Sequence, residues 1–149
     1  MNRIKLIIAT GFGFGYAPIA SGTFGTLVGI PIVILLRDSH VLTYMTVTIA
    51  LLFIGIKCAD YAEEYFKKSD AGQIVIDEIV GYMVTMHMVH VSFATIVIGF
   101  LVFRFFDIVK PWPAGVIDKA DLGGKGVMLD DVVAGIYGCI LMHIGMMVF

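Results

Sequence analysis

Twice in this chain a pair of adjacent carboxylates interrupts a long apolar run, as Ile74-Val75-Ile76-Asp77-Glu78-Ile79-Val80-Gly81 and as Val127-Met128-Leu129-Asp130-Asp131-Val132-Val133-Ala134-Gly135. A carboxylate beside hydrocarbon is costly unless it meets a cation, so any fold of this sequence has to bring positive charge to both pairs. A hard divalent metal, which takes oxygen ligands, is the natural partner. Interfacial helix capping is the plainer use of acids at such places, but a cap needs one side chain and these sites are doubled.

The apolar runs themselves point to a bilayer. The chain is 59% hydrophobic and only 15% charged, with a mean hydropathy of +0.96, well above an ordinary soluble domain. These values predict an all-α, polytopic helical membrane bundle, and 149 residues suffice for a single domain, 1–149. A formal charge of -2 gives no sign of nucleic-acid binding or of an acidic tail. Cys58 and Cys139 stand alone in apolar context and read as buried reduced thiols. The apolar stretch after Arg3 and Lys5 is too short for a signal peptide.

Apolar segments run from Thr23 to Leu36, Val41 to Ile56, Ile74 to Met86, Val91 to Phe103 and Val127 to Phe149, which predicts about five spans. Several are shorter than the ~20 residues that cross a bilayer unaided. Four spans are the alternative, with the stretch around Pro31 re-entrant or interfacial. Five crossings put Arg3, Lys5, Lys57, Lys67, Lys68, Arg104, Lys110, Lys119 and Lys125 on one side and only Arg37 on the other, which makes the first side cytoplasmic. Glu63 with Lys67 and Glu64 with Lys68 have the i,i+4 order that favours a helix, so the second span is expected to continue past the membrane.

On that topology both acidic pairs lie near the cytoplasmic N-termini of helices, where backbone amides favour negative charge. Asp77 and Asp131 each have a glycine four residues on, Gly81 and Gly135, and small residues there would let the two helices approach and join the pairs. The run Phe103-Arg104-Phe105-Phe106-Asp107-Ile108-Val109-Lys110-Pro111-Trp112-Pro113 closes the fourth span. Asp107 is electrostatically misplaced at a helix C-terminus, so it is either a further metal ligand or the i,i+3 partner of Arg104.

From Gly11 to Thr26 the chain is glycine-rich, with Ser21 and Thr23 as expected helix N-caps that could present amides to phosphate. Close helix packing explains the same glycines equally well. The segment is neither a Walker A loop nor a dinucleotide fingerprint. His40, His87, His90 and His143 all map to the outer half and read as turn or interface residues.

Taken in order, Gly11 to Gly25, Asp70 to Gly81, Phe103 to Pro113 and Gly123 to Gly135 closely resemble the phosphatidylglycerophosphatase A family, over most of the chain. The resemblance implies a bacterial inner-membrane, multi-pass, magnesium-dependent phosphatase that converts the lipid phosphatidylglycerophosphate to phosphatidylglycerol, with its active site at the cytoplasmic face. That chemistry assigns Asp77, Glu78, Asp107, Asp130 and Asp131 to one or two magnesium ions, with Asp70 as an additional candidate. Asp77, Glu78, Arg104, Asp107, Lys110 and Asp131 are the expected catalytic set. Gly13, Gly15, Ser21, Thr23 and Lys110 are the expected contacts to phosphate or glycerol. The rival is a small divalent-cation channel or transporter, since intramembrane acids also line cation pathways. Against it, the acids gather at one surface and no span carries one through its middle.

Overall fold

The computed structural model describes residues 2–148 as a helical bundle, and no strand occurs among them. The helices are α1 (Asn2–Ala9), α2 (Ser21–Leu36), α3 (Val41–Phe66), α4 (Ile76–Thr85), α5 (Phe93–Val109), α6 (Ala114–Asp118) and α7 (Gly124–Val148), with one 3₁₀ turn at Phe14–Tyr16. Each of the five apolar segments coincides with one of α2, α3, α4, α5 and α7; Phe149, the expected end of the last, lies outside the described residues. Helix α3 runs on to Phe66 as the charge order around Glu63 predicts. The expected ion pairs do not form, however. Lys67 takes a left-handed C-cap conformation, and Glu63 turns instead to the following loop.

By length and composition α3 and α7 can cross a membrane, and α2 is a shorter apolar helix. Helix α4 is different, because its 10 residues rise only ~15 Å, about half the hydrocarbon thickness. It is the centre of the molecule. Ile76, Ile79, Val80, Tyr82 and Met83 are all buried, and α2, α3, α5 and α7 pack around them. The segments on either side of it bury apolar residues too, Ala71, Ile74 and Val75 before and Met86 and Val89 after, while Met88 is exposed.

Small residues set the tightest of these packings. A Cβ on Gly135 would lie 2.4 Å from the Gly81 carbonyl oxygen, and one on Gly81 would lie 2.8 Å from the carbonyl oxygen of Asp131. Helices α4 and α7 therefore cross backbone to backbone, as the paired Asp-x-x-x-Gly spacings suggest. Thr85 closes the same seam, its hydroxyl donating to the Gly81 oxygen at 3.1 Å and reaching the Gly135 oxygen at 3.4 Å. Both cysteines are free; Cys58 is buried and Cys139 half-buried.

Candidate active site

The crossing of α4 and α7 brings the two acidic pairs to one level at the same end of the bundle. Asp77, Glu78 and Asp131 each offer a carboxylate oxygen within 4.8 Å of the others. Asp77 and Asp131 are buried and Glu78 nearly so. Asp77 Oδ1, Glu78 Oε2 and Asp131 Oδ2 are buried without any hydrogen-bond partner among the described residues. Three converging carboxylates, each with a buried and unpartnered oxygen, are an expensive arrangement for a fold to hold unless a cation compensates them. An all-oxygen donor set of this charge suits a hard divalent ion such as magnesium, and the residues present fit one.

Cations from α5 flank the cluster. Arg104 pairs closely with Asp107 and sets Nη1 3.8 Å from Glu78 Oε1. The i,i+3 pair anticipated as the plain alternative thus forms, while Asp107 itself is buried and lines the same cavity as Asp77, Glu78 and Asp131. Lys110 caps α5 in a left-handed conformation, φ 46°, which turns its side chain back over the site. There the ammonium contacts Asp130 and lies 2.9 Å from Asp118 Oδ1. Burial lowers its pKa, but the hydrogen bonds to Asp130 and Asp118 outweigh that and raise it above the ordinary lysine value, so Lys110 stays charged. Asp130 consequently faces Lys110, apart from the triad that its neighbour Asp131 completes.

Asp77, Glu78, Arg104, Asp107, Lys110 and Asp131 line a cavity of about 390 Å³, walled by Ala20 to Gly22 at the start of α2, the 70–74 loop, and the facing ends of α4, α5 and α7. Asp70 is part of that wall. Burial raises its carboxyl pKa, with Lys110 acting in the opposite direction. Of the expected phosphate contacts, Ser21 and Lys110 line the cavity, whereas Gly13, Gly15 and Thr23 do not.

The glycine-rich segment has a packing role that the sequence leaves open. A Cβ on Gly15 would fall 2.0 Å from the Gln73 carbonyl oxygen, so this loop is pressed against the loop that precedes Asp77. Nor is Ser21 or Thr23 the N-cap of α2. That position belongs to Ala20, in a left-handed conformation with no side-chain cap, because the tight turn after Pro18 brings Ser21 into the helix as its first residue. Ser21 is freed for the cavity by this shift.

The histidines stand away from the acid cluster: His40 caps α3, His87 and His90 lie in the link from α4 to α5, and His143 lies in the last part of α7.

The family profile described as phosphatidylglycerophosphatase A matches residues 7–146. The chain belongs to the phosphatidylglycerophosphatase A family. The phosphatidylglycerophosphatase A of Escherichia coli (strain K12) is 35% identical, over 97% of this chain and 88% of its own. The protein of the same name from Haemophilus influenzae is 36% identical, over 95% of this chain and 87% of its own. A Bacteroides thetaiotaomicron protein whose name proposes a phosphatidylinositol-3-phosphatase is 34% identical, over 95% and 92% respectively. No solved structure matches the chain.

In this member of the phosphatidylglycerophosphatase A family, three acids outside the quoted candidates support the site from behind. Asp60 Oδ1 accepts the Gly124 N–H at 2.7 Å, capping the start of α7 from across the bundle because Gly123 has no side chain to do so. Glu63 Oε1 accepts the Asp70 N–H at 2.7 Å and fixes the loop that carries Asp70. Asp118, on α6, holds Lys110. On the sequence each is one more acid in a polar stretch. Only the fold reveals what it holds.

Proposed function

We propose that the chain is a magnesium-dependent phosphatidylglycerophosphatase of the bacterial inner membrane, removing the terminal phosphate of phosphatidylglycerophosphate to leave phosphatidylglycerol and inorganic phosphate. The observation that carries this reading is the convergence of Asp77, Glu78 and Asp131, with unpartnered oxygens, in a cavity that also holds Arg104 and Lys110. Family membership and the names of the Escherichia coli and Haemophilus influenzae relatives supply the substrate.

Asp77, Glu78 and Asp131 would hold the metal, with Asp107 beside them. Bound there, magnesium supplies charge neutralisation of the phosphate and a water of lowered pKa. The rest belongs to the chain's own groups. Arg104, already bridging Glu78 and Asp107, is placed to exchange part of that contact for a bidentate grip on phosphoryl oxygens. Lys110, at the end of the same helix, offers a point charge to the cavity it lines, and its two carboxylate partners keep it protonated. Ser21, which makes no side-chain hydrogen bond among the described residues, contributes a hydroxyl for a phosphate or glycerol oxygen.

The topology belongs to the same proposal. The N-terminus and the active site face the cytoplasm, and the chain crosses five times. In the third crossing the short α4 is completed by non-helical segments whose residues Ala71, Ile74, Val75, Met86 and Val89 are buried in protein, which makes irregular backbone tolerable there. A channel reading finds little support in these contacts, because below the acids the α4–α7 seam is closed backbone to backbone at Gly81 and Gly135.

Purified protein offered phosphatidylglycerophosphate in detergent micelles tests the activity, since micelles hold no sealed compartment and allow no transport. Phosphate release that requires magnesium and stops on chelation is expected. No release under any divalent cation, with magnesium flux in sealed liposomes, would replace the phosphatase by the channel.

A further inference from the structure

The cavity at the acid cluster is walled on one side by the start of α2 and the end of α5, two helices that barely touch each other because α4 lies between them. What joins them at this level is Arg104. A Cβ on Gly22 would lie 2.9 Å from Arg104 Nη1, so the guanidinium reaches across to α2 only because residue 22 has no side chain. At the cavity's edge Ile108, which lines the cavity, is 71% exposed, and Ile19, the residue before the lining Ala20, is 79% exposed. Below Arg104, Leu101 and Val97 continue its stripe of α5 at helical spacing, both exposed. Val97 lies seven residues from Arg104, so the stripe runs ~10 Å along the helix away from the cavity.

We propose that the lipid enters this site sideways from the bilayer, through the opening between α2 and α5. Its polar arm passes over Arg104, and one of its acyl chains lies along Leu101 and Val97. This rests on the phosphatase reading and adds a route and a chain-binding face to it. The occupant follows from continuity. The apolar stripe begins directly beneath the cation that faces the reacting phosphate, so a single molecule with phosphate at one end and hydrocarbon at the other can occupy both. A water-soluble phosphate ester would leave the stripe unused.

Three substitutions test it. Ile108→Trp narrows the opening and Leu101→Trp alters the stripe. Leu35→Trp, at a still more exposed site near the far end of α2, is the control. Each protein is assayed in micelles on long-chain phosphatidylglycerophosphate and, in solution, on the same headgroup without acyl chains.

Ile108→Trp and Leu101→Trp are expected to lose about tenfold or more in kcat/KM on the lipid, mainly through KM, and to keep wild-type turnover of the headgroup. The retained headgroup turnover also shows that the fold and the reacting groups are intact. Leu35→Trp is expected to leave both substrates unchanged.

The entry route is overturned if both test variants lose the two substrates in parallel, if neither loses the lipid, or if the wild-type protein cleaves headgroup and lipid with equal efficiency. In those cases the phosphatase reading stands. If wild-type protein cleaves neither substrate, that reading falls and the route falls with it.

Discussion

Adjacent acids on a helix point ~100° apart, so the two members of a doubled acid can serve one site together, as Asp77 and Glu78 do, or be sent to different neighbours. The second pair is divided: Asp131 joins Asp77 and Glu78, while Asp130 turns to Lys110. The sequence marks both residues as ligands and has no means of separating them, because the division depends on which helix end lies on which side. Asp131→Asn is therefore expected to cost on the order of a hundredfold in turnover and to raise the magnesium requirement. Asp130→Asn should lower turnover by loosening Lys110 while leaving the magnesium requirement near wild type. Magnesium titrations of the two variants check this, and equal shifts in both would put Asp130 back among the ligands. The cations divide similarly. Arg104→Lys should lose activity because an ammonium cannot reproduce the guanidinium fork. Lys110→Ala should be severe, and Lys125→Ala mild, because Lys125 is exposed and lines no part of the cavity.

At the scale of elements, the apolar runs announce where five of the helices lie, since burial or lipid exposure demands continuous hydrophobicity over several turns. They also place the end of α4, expected at Met86 and found at Thr85 with Met86 as its C-cap. What they lack there is a local stop signal: the sequence holds neither proline nor glycine, and Thr85 is bonded across the α4–α7 seam inside the bundle. The N-cap of α2 is illegible for a related reason, since Ala20 caps through backbone conformation and carries no capping side chain. The glycine pair at the seam is legible, and it makes a strong prediction. Gly81→Leu should abolish activity and sharply lower the yield of folded protein, because its side chain would have to displace Phe103 and the α7 backbone. Asp60→Ala tests a subtler link, with an expected loss of about 1 kcal/mol of stability from the missing cap, seen as a lower thermal midpoint in detergent. Asp60→Asn keeps an acceptor oxygen and should recover most of it.

For the whole molecule, the decisive asymmetry is that the acid cluster, Arg104 and Lys110 occupy one end of the bundle while the α2–α3 turn and the α4–α5 link form the other. On the proposed topology, cation placement puts the first end in the cytoplasm, where a lipid phosphate on the inner leaflet would meet the cavity mouth. The same assignment puts Ser69, in the exposed loop before α4, inside the cell, and Asp38, exposed in the α2–α3 turn, outside. Single cysteines at these two positions, in a background with Cys58 and Cys139 replaced by serine, are to be treated with a membrane-impermeant thiol reagent on cells whose outer barrier has been permeabilised. Asp38→Cys should label in intact cells, and Ser69→Cys only after the inner membrane is opened. The reverse pattern would turn the bundle over and place the carboxylates on the wrong leaflet for a cytoplasmic substrate pool. Labelling of both positions in intact cells would mean that α2 and α3 do not separate two compartments, and with them would go the five-crossing topology.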